Sequence, residues 1–222
     1  MSNKRLGILV GGGPAPGINA VIGAATIEAV NQGFDVVGFY DGFKWLSSES
    51  FVGEIHTTPL DIAHVARIHF DGGSLLRTSR TSLMDDATVA DGGTVKPDPK
   101  KVGRVRKNLS ALGINDLITI GGDDTALSSR FVAEAAGGTL RTVHVPKTID
   151  NDLMHTHVTF GFQTAVEIAT EALDRLHTTA ASHHRIMVCE LMGRNAGWLT
   201  LHAGLASGSD IVLIPEIPYD VG

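Results

Sequence analysis

Short apolar runs alternate along the chain with stretches of helical periodicity. Residues 6–10 and 34–40 are such runs and predict buried strands, the first ending at Gly11-Gly12-Gly13. Between them Ile18, Val21, Ile22, Ala25, Ile27, Ala29 and Val30 predict a helix over 18–31, with Gly33 placed to stop it. Strand, turn, helix, strand is the opening of a parallel βαβ unit. Over 41–99 the pattern breaks into short helices and loops, with glycine pairs at Gly72-Gly73 and Gly92-Gly93. Beyond Lys100 the alternation resumes. It predicts helices over 102–112, 126–136, 162–181 and 196–206, and strands over 117–120, 142–145, 185–191 and 211–214. The fold class expected is α/β: a doubly wound, parallel-rich sheet with flanking helices and its sites at the strand C-termini.

Composition narrows the function classes. The 222 residues are 43% hydrophobic, enough for a substantial core in one large domain or two small ones. Charged residues make up 19% with no long run of one sign, which argues against a disordered tail. A net charge of -6 is a poor start for binding nucleic acid. Anionic ligands would have to be met by a few placed Arg and Lys side chains and by backbone N–H groups. Cys189 is the single cysteine, so neither an internal disulfide nor a cysteine-cluster metal site is available, as expected for a reducing cytoplasm. The first apolar run is too short for a signal peptide, and no run approaches the roughly 20 residues that span a bilayer. A cytoplasmic protein with no membrane or nucleic-acid partner is expected.

Four polar clusters carry candidate chemistry. Gly11-Gly12-Gly13-Pro14-Ala15-Pro16-Gly17 lies between a strand and a helix, where glycines let backbone approach phosphate and the helix start offers N–H groups. It fits neither the dinucleotide fingerprint nor Walker A, and a plain tight turn is the alternative. Gly121-Gly122-Asp123-Asp124-Thr125 offers two carboxylates at a helix start: N-terminal capping, or a Mg²⁺ site completed by phosphate oxygens. Pro146-Lys147-Thr148-Ile149-Asp150-Asn151-Asp152 opens a polar stretch over 147–157 between two apolar segments, a candidate crevice between lobes. Its cation, hydroxyl and carboxylates exceed what a turn needs, and one carboxylate could serve as general base. Met192-Gly193-Arg194-Asn195 offers an arginine suited to a phosphate. His155 and His157, and His183 and His184, lack the i, i+4 spacing of a helical metal site.

These four clusters, followed by Pro215-Glu216, stand in the order found in the 6-phosphofructokinase family, and the chain resembles that family from its first strand to Glu216. The resemblance implies a two-lobe architecture, with 1–145 as the phosphoryl-donor lobe and 146–222 as the start of a fructose 6-phosphate lobe. It implies Mg²⁺, a homo-oligomer (dimer or tetramer), and transfer to the C1 hydroxyl of fructose 6-phosphate. Carried over residue by residue, Asp150 matches the catalytic base, Thr148 steadies the transferring group, and Asp152 assists around the metal. Asp123 matches the metal-coordinating carboxylate. Gly12, Gly13, Arg80, Gly122, Asp124 and Lys147 fall on the donor side. Arg185, Met192, Gly193, Arg194 and Glu216 match sugar-phosphate contacts, with Thr148 and Asp150 beside them, and Arg194 also stabilises charge.

Asp124 stands where ATP-using relatives typically have Gly, and Lys147 where many have Gly. The Asp124 carboxylate would oppose a nucleotide α-phosphate, while Lys147 would add charge for a smaller polyanion. This pattern is similar to the pyrophosphate-dependent branch; an ATP-dependent enzyme is the alternative, and a non-catalytic regulatory relative is the alternative of another class. Two departures stand out. Arg77 occupies a position that is often Gly, and the chain stops at Gly222, where relatives continue. A fragment with an incomplete second lobe is therefore expected.

Overall fold

The computed structural model describes residues 4–86 and 95–220, so the Gly92-Gly93 pair lies outside the described residues. The chain divides into two compact units, the first ending at Lys147 and the second beginning at Thr148.

The first unit is built on strands β1 (Lys4–Val10), β2 (Phe34–Phe39), β3 (Thr57–Leu60), β4 (Ile114–Gly121) and β5 (Arg141–Thr148), in the spatial order β3-β2-β1-β4-β5. The β2–β1, β1–β4 and β4–β5 pairs are parallel, and β3 is an antiparallel edge. Pro59 in β3 is tolerated because an edge strand need not donate on both sides. Helix α1 (Ile18–Asn31) follows β1. Short helices α2 (Phe43–Leu46), α3 (Gly53–His56) and α4 (Ile62–Val65) fill the irregular region. Helices α5 (Pro99–Ala111) and α6 (Asp123–Ala136) flank β4 in the chain.

Alternation along the strands sends side chains to both faces of the sheet. Leu9, Val37, Phe39 and Leu117 join Val105 and Leu109 of α5 and Val132 of α6 in one buried cluster. Ile8, Val10, Val36 and Ile120, of opposite parity, are equally buried. A sheet covered on both faces is the doubly wound arrangement.

The second unit holds the short strand β6 (Phe160–Gly161) and helices α7 (Phe162–His183) and α8 (Trp198–Ser207). Phe162 and His202 meet edge to face, with ring centroids 5.3 Å apart, and Val212 packs close to Gly204 of α8.

Several expected boundaries are corrected. Helix α6 starts at Asp123 rather than 126, because both aspartates lie in its first turn, where the helix dipole favours them. Strand β5 runs past Pro146 to Thr148, so Lys147 and Thr148 belong to a strand end and not to a loop. The strands expected over 185–191 and 211–214 are not formed; both segments are irregular, the first almost wholly exposed and the second alternating between exposed and half-buried residues.

Candidate active site

The turn after β1 is tied down by backbone from elsewhere. Gly11 N donates to Ile120 O at 2.8 Å and Gly12 N to Ser79 O at 2.8 Å. Thr78 Oγ1 donates to Gly12 O at 2.6 Å, so residues 78–79 strap the turn from one side. Gly12 has φ +84°, a conformation glycine adopts without steric cost. Asn19, buried on α1, anchors the strap's approach: its Nδ2 donates to Asp71 O at 3.0 Å and its Oδ1 accepts from Leu75 N at 2.8 Å.

That strap delivers Arg80 to the turn, its NH2 lying 3.7 Å from where a Cβ on Gly13 would stand. Lys147 reaches in from β5. It is only 4% exposed, and its Nζ donates to Gly13 O. Gly12, Gly13, Ser79, Arg80, Asp124 and Thr125 line a cavity of about 220 Å³ at the C-terminal ends of β1 and β4. Of the expected donor residues, Gly12, Gly13, Arg80 and Asp124 thus share one cavity, and Lys147 bonds to its wall. Gly122 caps α6, and its N lies 4.0 Å from the position of a Cβ on Gly12. Asp123 and Asp124 are exposed in the first turn of α6. Arg80, Lys147 and the start of α6 favour an anion here, and Asp124 adds a negative charge to the same cavity.

His144 stands behind this wall. Its Nδ1 lies 2.9 Å from Thr119 Oγ1 and its Nε2 3.0 Å from Gly121 O. Burial lowers its pKa from the usual imidazole value; the bond to Gly121 O opposes this and the Lys147 charge adds to it.

In the second unit Asp150 N donates to Thr148 Oγ1 at 3.1 Å. Thr159, fully buried, donates through Oγ1 to Thr148 O at 2.7 Å and through its N–H to Asn151 Oδ1 at 2.9 Å. The Thr148–Asp150 corner is therefore rigid, with Asn151 in the left-handed region at φ +52°. Asp152 is exposed. Met192, Arg194 and Arg185 are exposed as well, and Gly193 sits buried at φ +134° with Ala196 N on its carbonyl at 2.9 Å. Glu216 Oε1 accepts from Gly197 N at 2.7 Å, which fastens residue 216 to the start of α8 just after the Met192–Asn195 turn.

The Phosphofructokinase family profile matches residues 5–222. The chain belongs to the phosphofructokinase family. It is 48% identical over 221 residues to a protein of Clostridium perfringens named ATP-dependent 6-phosphofructokinase 2, covering 98% of this chain and 57% of that one. It is also 48% identical over 218 residues to a Streptomyces coelicolor protein named pyrophosphate–fructose 6-phosphate 1-phosphotransferase, covering 98% and 58%. This phosphofructokinase-family chain thus spans under two thirds of the length of these relatives, and they carry both donor names. The fold is similar to that of Pichia pastoris phosphofructokinase in the T-state, with TM-score 0.82 and 23% identity over 99% of this chain and 22% of that one.

Among the described residues no group of three or more His, Cys, Asp or Glu side chains gathers as a metal site. A family Mg²⁺ does not need one, since that ion takes one or two carboxylates and completes its shell with phosphate oxygens and water. Asp123 and Asp124, exposed beside an anion-favouring turn, fit that donor set. A larger cavity, about 410 Å³, lies near Arg106, Asn115 and Thr139. It sits by the start of β4 and the C-terminal ends of α5 and α6, where the dipole disfavours phosphate.

Sequence reading missed Asn19, Thr78, Ser79, His144 and Thr159 as parts of the site. Each is an ordinary residue type whose role comes from a bond to backbone distant in the chain or out of sight of any local pattern. Thr125, quoted only within its motif, also matters: a Cβ on Gly121 would stand 2.5 Å from its Cβ.

Proposed function

We propose that this chain provides the phosphoryl-donor lobe and the start of the acceptor lobe (1–145 and 146–222) of an enzyme that moves a phosphoryl group from pyrophosphate to the C1 hydroxyl of fructose 6-phosphate. The observation that carries the donor reading is the buried Lys147, whose ammonium bonds Gly13 O on the turn that lines the Asp124 cavity. A volume of about 220 Å³ falls below the roughly 300–1,000 Å³ of pockets for drug-sized ligands, which suits a compact polyanion better than a nucleotide.

In this reading Gly12, Gly13, Gly122, Arg80 and Lys147 hold the donor phosphates. Asp123 would hold Mg²⁺, which supplies charge neutralisation of the phosphate oxygens when bound, with Asp124 beside it on the donor side. Asp150 accepts the proton of the C1 hydroxyl as its oxygen attacks phosphorus; the bridging P–O bond of pyrophosphate breaks and phosphate leaves. Thr148 orients the base through its bond from Asp150 N, and Asp152 supports the metal side. Arg194 offsets charge on the transferring group, with Arg185, Met192, Gly193 and Glu216 around the sugar phosphate.

An ATP-dependent enzyme is the second reading, favoured by the equal identity of the Clostridium perfringens relative. The test measures formation of fructose 1,6-bisphosphate by this chain with Mg²⁺ and either donor, alongside calorimetric binding of each donor. Pyrophosphate turnover or binding without ATP is expected; ATP selectivity would overturn the donor assignment, and binding of neither donor nor sugar phosphate would overturn the reading of the site.

A further inference from the structure

The carbonyl of Gly121 closes β4 immediately before the donor-side residues Gly122, Asp123 and Asp124. A carbonyl only accepts, so the 3.0 Å contact requires the proton on His144 Nε2. Nδ1 of the neutral ring then accepts from the hydroxyl of Thr119, the residue in register with His144 across the β4–β5 ladder and itself fully buried. The ring is held at both nitrogens and cannot turn without breaking a bond.

The peptide between Gly121 and Gly122 is planar and trans, so its N–H points opposite to the carbonyl, away from His144. The nitrogen of that group is the one 4.0 Å from where a Cβ on Gly12 would stand. Glycine on both sides makes rotation of this peptide sterically cheap. Rotated, it would turn a carbonyl dipole towards a bound anion and withdraw an N–H.

Building on the donor-site reading above, we propose that His144 is a positioning residue: it clamps the Gly121–Gly122 peptide so that the Gly122 N–H is presented to the phosphoryl donor. The clamp acts through the backbone and touches neither substrate.

The experiment compares the chain with its His144→Leu and His144→Gln variants, since glutamine can offer an N–H to Gly121 O and leucine cannot. Three quantities are read: the imidazole tautomer by ¹⁵N NMR, Gly122 amide exchange, and affinities for magnesium pyrophosphate and fructose 6-phosphate. Expected are the Nε2–H tautomer in the parent, faster Gly122 exchange in His144→Leu, and pyrophosphate affinity weakened about ten-fold, the scale of one lost hydrogen bond. Fructose 6-phosphate affinity should hold, and His144→Gln should recover most of the loss. An Nδ1–H tautomer, equal pyrophosphate affinities, or both affinities falling together without rescue by glutamine would each overturn the proposal. If the parent binds no phosphoryl donor, the site reading and the donor-presenting role fall, while unchanged Gly122 exchange in His144→Leu would separately remove the clamp.

Discussion

Arg77 shows how much a single residue can hide. It occupies the left-handed region at φ +56°, where a side chain costs about 1 kcal/mol or more relative to glycine. Its guanidinium lies 5.1 Å from the Tyr40 ring centroid, and NH1 is 4.0 Å from Asp41 Oδ2. An exposed cation–π contact is worth about 0.5–1 kcal/mol and an exposed ion pair less, so strain and contacts nearly cancel. Arg77→Gly should therefore leave the thermal midpoint almost unchanged, whereas Arg77→Ala, which keeps the strain and loses the contacts, should be less stable than either. Equal midpoints for the Ala and Gly variants in thermal unfolding would contradict this. Gly12 is the opposite case. With φ +84° and a Cβ position 3.3 Å from Lys147 Nζ, Gly12→Ala adds strain and displaces the ammonium from the turn. Pyrophosphate affinity should drop about ten-fold or more, with a midpoint fall of a few degrees from about 1 kcal/mol of strain; unchanged calorimetric affinity would separate Lys147 from the donor.

Among the elements, α5 is the most readily tested. Asp98 caps it, accepting from Lys100 N at 2.8 Å and Lys101 N at 3.1 Å, with Pro99 at the first helical position. Asp98→Ala should cost about 1 kcal/mol, roughly 2–4 °C in a chain of this size. The Lys101 amide bond, then the Lys100 amide and the nearby Lys101 and Arg104 charges, lower the Asp98 pKa against an opposing desolvation. A lowered carboxylate stabilises fully above its unfolded pKa and loses that contribution as pH falls through the folded value. The midpoint gap between parent and variant should thus be constant near neutrality and close below about pH 4; a gap that persisted in acid would contradict the cap's charge dependence. Strands β1, β2 and β4 were legible because a strand buried on both faces is an apolar run whatever its partners. Strand β3 was not: Thr57, Thr58 and Pro59 read as loop, and only its place at an edge makes them a strand. Segments 185–191 and 211–214 have strand-like side chains without a ladder, and side-chain pattern alone does not report whether a neighbouring strand exists. The site divided the same way. Glycine and acid clusters announce themselves locally, but the straps from Thr78, Asn19 and His144 are long-range bonds made by unremarkable residue types.

Across the whole molecule, stability is unevenly distributed. The first unit has strands covered on both faces and a continuous buried cluster, so opening it exposes much apolar surface. The second relies on α7 against α8, and leaves Ile186 94% and Val188 93% exposed in a segment without regular structure. Segments with few buried contacts and no ladder open at low free energy and are cut first by proteases. Limited thermolysin digestion of the native chain should therefore cleave within 185–191 or 211–217 well before any site in 4–86 or 95–147, and mass spectrometry of the first fragments reads this directly. First cuts within 4–86 or 95–147 would overturn the partition. The proposed acceptor contacts Arg185, Met192, Gly193 and Arg194 lie in or beside the first of these segments. Fructose 6-phosphate should then slow cleavage there by binding the uncut form, while pyrophosphate, held by the first unit, should leave it largely unaffected. Equal protection by both ligands would mean that residues 185–194 do not distinguish acceptor from donor.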